Sequence, residues 1–332
     1  MGGRRLLSGR CRRERRRGEE AKHGQPWTAT TWSLNTLREW GLDAAALAGT
    51  AEQLAASARW EYDDLPYGGG EVDACINGFT LANGAWLGAD VVGLATWFSE
   101  HTMPDGGWNC EWVEGSTRSS FHSTLNSLKG ILDGEERTGD TRLREVRHAA
   151  EEYLLSRRML YRASTGEHVG PWVASFGYPF RHVYTALNAV DYRRRASLLE
   201  GAPPDERASD AIGIIRSAQQ LDGQSFPGTW VQERRHPGRV WFELDVPVGE
   251  PSPWLTFLSL RVLRWWEARG YAARPTSGSP ATVSSVSSGL VVAIERARHG
   301  VETRASTTPS PRRAISHSRC RSRAGADASS VR

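Results

Sequence analysis

No run in this 332-residue chain approaches the 18 or so consecutive apolar residues that a membrane-spanning helix requires. The N-terminal arginines have no apolar stretch behind them, so no secretory leader is read and a cytoplasmic location is expected. Cysteine is sparse as well. Cys11, Cys75, Cys110 and Cys320 are too few and too scattered for a disulfide framework, which leaves Cys75 and Cys110 as free thiols or metal ligands. Apolar–polar alternation and β-branched runs are almost missing, which excludes a sandwich or barrel. Lysine is nearly absent: of 42 basic residues only Lys22 and Lys129 are not arginine.

Aromatic residues are plentiful and confined. All 14 Trp and all 8 Phe lie between Trp27 and Trp266, and Tyr271 is the only Tyr beyond them. A folded core over about 24–267 is expected, flanked by disordered segments at 1–23 and 268–332 that hold too little apolar surface to offset ordering entropy. Those segments carry +6 and +8, so the overall +4 leaves −10 for the stretch between them. The alkaline isoelectric point therefore belongs to the ends, and nucleic-acid binding by the core has no electrostatic basis.

The core reads as repeated helical hairpins. One set of helices runs through TTWSLNTLREWGL, CINGFTLANGAWLG, SSFHSTLNSLKGIL, HVYTALNAVDYRRR and SPWLTFLSLRVLRWW, with Thr31, Cys75, His122, Tyr184 and Phe257 aligned at one helical position. Between them lie partner helices with apolar residues at 3.6-residue spacing. Leu143, Val146, Ala150, Tyr153 and Leu154 form one stripe; Ala211, Ile212, Ile215 and Ala218 form another. Shorter partners are expected at about 50–61 and 89–101. Asp-Gly turns occur in MPDGGW and QQLDGQSF, each with an aromatic just beyond.

The pieces PDGGW and QQLDG, the Trp-rich helices and the hairpin period resemble the terpenoid cyclase and protein prenyltransferase superfamily, whose α/α toroids carry Q-x-x-x-G-x-W-like repeats. STRSSFHST, CINGFTL, HPGRVWFELD and LRVLRWWE resemble the bacterial squalene-cyclase-like branch in particular. The resemblance covers about 24–267. It implies an all-α toroid of about four and a half hairpins, open at one side, because no outer helix is read before Thr30. Only PDGGW carries the full ending of the repeat; Ser225 and Phe226 stand where the second Trp is expected. D-x-D-D, the acid of alkene-protonating cyclases, and D-D-x-x-D, the magnesium-diphosphate motif, are both absent.

In a toroid the beginnings of the inner helices converge on one mouth of a central cavity. That implies a catalytic group of His122, Tyr184 and Asp245, and substrate contacts from Asn77, Arg118, Ser119, Trp108 and Trp254, with His182 nearby. Asp73-x-Cys75 with His122 is similar to the zinc ligands of protein prenyltransferases, and such a set would leave one position for a thiol or water. Beside each role stands a plainer one: Asp73 and Ser119 as helix caps, Cys75 as a small buried residue, His122 as a hydrogen-bonding partner of a neighbouring helix end, and the Trp rings as packing. The favoured function is binding of an isoprenoid or other elongated apolar molecule in the central cavity, with transferase or cyclase activity. A non-catalytic toroid that presents its acidic surface to a partner is the alternative. A carbohydrate enzyme on a six-hairpin ring would need a carboxylate pair that the sequence does not offer.

Overall fold

The computed structural model describes residues 4–6, 27–60 and 64–272, with side chains over 27–60 and 64–268, all inside one compact unit that ends at Arg274. Among the described residues strand is limited to Arg4–Leu6 and Ala58–Trp60, which pair in parallel. The remaining regular structure is helical. Five helices correspond to the set expected to be inner, and keep that label: α1 (Thr30–Glu39), α3 (Ala74–Leu87), α5 (Phe121–Thr138), α7 (Ala186–Glu200) and α9 (Pro253–Ala272). Four others, expected to be outer, alternate with them: α2 (Thr50–Ser57), α4 (Val92–Glu100), α6 (Arg144–Leu155) and α8 (Ser209–Ser217). Helix α9 runs through the boundary expected at 267. The rest of both expected disordered ends lies outside the described residues.

Local chemistry sets the ends of these helices. Ser120 accepts from the Ser123 N–H at the start of α5, Thr185 from Asn188 at the start of α7, and Ser252 from Leu255 at the start of α9. Gly88, Gly139 and Gly201 then close α3, α5 and α7 in the left-handed conformation. The outer helices bury the stripes expected of them: Ala150, Tyr153 and Leu154 on α6, and Ala211, Ile212 and Ile215 on α8.

Each inner helix lies beside the next, in the order α1, α3, α5, α7, α9, and each outer helix packs against the inner one that follows or precedes it. The tightest approach is between α3 and α5. A Cβ on Gly130 would stand 2.2 Å from the Gly78 carbonyl oxygen, and one on Gly78 would stand 2.4 Å from that of Asn126. Only glycine permits this crossing.

Helix α1 reaches the whole inner set. Arg38 bonds Asn83 on α3 and pairs with Asp133 on α5, which Arg195 of α7 also engages. Lys129 on α5 spans Glu39 at 3.3 Å and Asn188 of α7 at 3.4 Å. Trp40, just past the end of α1, stacks on Trp254 of α9 at 5.5 Å between centroids. Arg38, Asp133, Arg195, Lys129 and Glu39 thus form a charged cluster that links α1, α5 and α7.

Candidate functional site

The residues expected at the mouth fall into separate local structures. Asp73 is the N-cap residue of α3, buried, with its backbone N–H bonded to Glu71 at 2.7 Å. Asn77 bonds the backbone of Glu71 through both amide atoms at 2.6 Å and so fixes the loop that enters α3. The Ser119 hydroxyl donates to Asp105 at 2.5 Å and accepts from the Gly107 N–H at 2.9 Å, pinning the PDGGW turn to the start of α5. Arg118 is exposed, and its carbonyl accepts from the Asn109 amide.

His122, Tyr184 and Asp245 are not gathered into one constellation by any described contact. Nδ1 of His122 accepts the Tyr184 backbone N–H at 2.9 Å, and its ring lies 4.3 Å from that of Trp172. The Tyr184 hydroxyl donates to the Met159 carbonyl at 2.7 Å, fully buried, and burial holds its pKa well above the ordinary phenol value. Asp245 accepts from the Ser252 hydroxyl at 2.6 Å and from the Val246 N–H at 2.9 Å, so it steadies the cap of α9 while burial raises its pKa.

A zinc set of Asp73, Cys75 and His122 does not fit this geometry. Among the described residues no three His, Cys, Asp or Glu side chains are arranged to hold a metal. The Cys75 sulfur instead faces that of Cys110 at 3.3 Å.

Two tryptophans reveal the repeat that the sequence reading found only once. Trp108 is fully buried, donates its indole N–H to the Phe98 carbonyl at 3.1 Å, takes Thr124 Oγ1 on its backbone N–H, and accepts from Ser120 N. Trp230 does the same with the Ile215 carbonyl at 2.8 Å, Thr256 Oγ1 and Ser252 N. The second Trp of the repeat is therefore Trp230 and not a missing residue at 225–226. Gln224, Gly228 and Trp230 spell Q-x-x-x-G-x-W in full. The alignment of inner helices also shifts: the caps place Leu187 and Trp254, not Tyr184 and Phe257, level with Cys75 and His122. Phe257 is in fact exposed.

The chemically distinctive place lies beside the expected mouth. A cavity of about 170 Å³ is lined by Tyr178, Arg181, Gln232, Arg235, His236, Val240, Phe242, Leu244 and Asp245, among others. Arg181 sits with its guanidinium carbon 4.1 Å from the Trp27 ring centroid and 5.8 Å from that of Trp32. Its backbone φ of +52° is in the left-handed region, which a bulky residue occupies only when its surroundings hold it there. Arg234 packs across Gly177, where a Cβ would come within 2.6 Å of its Cγ.

Nε of Arg181, in the lining, and Nε and Nη2 of Arg234, which is not a lining residue but acts on the lining His236, are buried with no hydrogen-bond partner among the described residues. Burial pushes the Arg181 pKa down to about 10. Nε2 of His236 lies 3.0 Å from the Pro179 carbonyl oxygen, an acceptor that fixes this nitrogen as the donor. Burial, then Arg234 and Arg181, push the His236 pKa down to about 4, so the ring is neutral at pH 7.

No protein-family model, curated protein or solved structure matches the chain. Arg181, Arg234 and His236 escaped the sequence reading. The signal available for Arg234 and His236 was the run ERRHPGR, which puts three arginines and a histidine beside only one acid, next to VWF; Arg181, in GYPFRHVY, had none.

Proposed function

We propose that the chain is a small terpenoid-cyclase-like α/α toroid that binds an amphiphile with an anionic head, an isoprenoid phosphate being the class that its resemblance suggests. The head lies in the cavity at Arg181, rather than at the expected central mouth. The observation that carries this reading is the buried Nε of Arg181, a lining residue of the cavity, which has no hydrogen-bond partner among the described residues, with the charge of Arg234 also acting on His236 of the same lining. Unpaired buried donors of this kind are costly, whereas charge-assisted bonds to an oxyanion satisfy them.

Size decides where the rest of the ligand goes. A volume of about 170 Å³ is below the roughly 300–1,000 Å³ of pockets that enclose a whole ligand. It suits a head group, with the apolar chain leaving past Val240, Leu244 and Phe242; Phe242 is 60% exposed and stands at the rim. Zinc has no part in this reading.

The test is tryptophan fluorescence and calorimetry with farnesyl diphosphate, inorganic diphosphate and farnesol. Farnesyl diphosphate is expected to bind best, and Arg181→Gln to weaken it by on the order of 10- to 100-fold, as loss of one or two charge-assisted bonds implies. Farnesol binding as tight as farnesyl diphosphate, or affinity untouched by Arg181→Gln, overturns the proposal. The second reading, a non-catalytic scaffold, is favoured by the charged cluster of Arg38, Asp133, Arg195, Lys129 and Glu39 between the helices. It gains if none of the three ligands binds.

A further inference from the structure

Cys75 and Cys110 are reduced thiols whose sulfurs lie 3.3 Å apart, although 35 residues separate them in sequence. Cys75 is the second residue of α3; Cys110 follows Trp108 in the loop that leads from the first tryptophan turn to α5. The Cys110 sulfur is placed by donors from both neighbours: the Cys75 backbone N–H at 3.5 Å and the Ser123 hydroxyl at 3.3 Å. Both residues are half-buried, so a small reagent has access to them. Nearby, the Trp112 indole N–H donates to the Val72 carbonyl at 2.8 Å and ties the same loop to the segment before α3. The two sulfurs are thus held side by side by contacts from both segments.

We infer that Cys75 and Cys110 form a redox-active dithiol that is oxidised reversibly by small-molecule disulfides of the glutathione type. One thiol, as its thiolate, attacks a sulfur of the reagent disulfide; a mixed disulfide forms and one reagent thiol leaves. The second cysteine then attacks the protein-side sulfur of that mixed disulfide. A Cys75–Cys110 bond forms and the second reagent thiol leaves. Two electrons and two protons pass from the dithiol to the reagent, and nothing else is consumed. The product staples the exit of the first tryptophan turn to the start of α3, closing a covalent loop across two neighbouring hairpins. A third ligand is not required, which distinguishes this pair from a metal site.

The experiment equilibrates the full chain in buffers of increasing oxidised-to-reduced glutathione ratio, quenches by alkylation, and maps peptides by mass spectrometry. A Cys75–Cys110 cross-linked peptide is expected, disappearing again in excess reduced glutathione. The oxidised protein is expected to melt at higher temperature than the reduced one, as a staple that restricts the unfolded chain implies. In Cys75→Ser, Cys110 is expected to stop at the glutathione mixed disulfide. Stable mixed disulfides on both cysteines of the wild type overturn the inference. So do bonds to Cys11 or Cys320 in place of the internal pair, or two unmodified thiols at the most oxidising ratio. The mapping of the wild type needs no variant, so it decides the matter even where the serine variant folds poorly.

Discussion

His236 shows how one side chain links the cavity to stability. Its folded pKa is pushed down to about 4 from 6.5, first by burial and then by Arg234 and Arg181. Between those two values the unfolded chain binds a proton that the folded chain refuses, so the contribution is intact above pH 6.5 and is lost as pH falls toward 4. The loss is roughly 3 kcal/mol at most. Urea unfolding at pH 7, 5.5 and 4.5 is expected to show stability falling through this window. His236→Gln keeps a donor for the Pro179 carbonyl and is expected to reduce that slope by about one proton. An unchanged slope in the variant shows that other groups govern the acid limb.

At the level of the helices, two glycines of the same kind in sequence are expected to behave in opposite ways. Gly130→Ala forces α3 and α5 apart, because its Cβ would meet the Gly78 backbone at 2.2 Å, and is expected to cost about 3 kcal/mol or more. Gly213 lies on α8 with nothing within 4 Å of an added Cβ, so Gly213→Ala is expected to stabilise by about 0.5–1 kcal/mol. Denaturant melts of the two variants check both signs. The helices themselves were legible because apolar spacing and Ser, Thr and Gly ends survive in one dimension: every inner and outer helix read from the sequence is present. Register was less legible. Aligning the Leu-rich halves put Tyr184 and Phe257 level with Cys75 and His122, but Thr185 and Ser252 set the first turn through hydrogen bonds, and α9 is too aromatic all round for its pattern to betray a shift. The second tryptophan turn was hidden by its length, since Asp222-Gly223 draws the eye to Phe226 while the buried indole is Trp230. Of the cavity, only Asp245 and the basic run around His236 were legible. Arg181 and His236 come from irregular segments with no period to read, and only folding brings them to Trp27.

For the molecule as a whole, the contact between the first and last inner helices is aromatic. Trp254 is stacked between Trp40 at 5.5 Å and Tyr178 at 5.1 Å, and the Trp40 indole N–H donates to the Tyr178 hydroxyl at 3.0 Å. A double-mutant cycle with Trp40→Leu and Trp254→Leu is expected to give a coupling of about 0.5–1.5 kcal/mol, the range for stacked aromatic pairs. Additive losses show that the two ends of the helix array are held by other contacts. The two tryptophan turns bear on the same architecture in a different way. Each indole anchors the end of one outer helix, and its backbone anchors the start of the next inner helix, yet the chain between these anchors runs from Trp108 to Ser120 in one case and from Trp230 to Ser252 in the other. Because both ends of the span are clamped, its length is free: residues can be added between the clamps without displacing a helix. The longer span is the one that supplies Arg235, His236, Phe242 and Asp245 to the cavity. New recognition chemistry can therefore arise there by insertion while the frame that bears it stays unaltered.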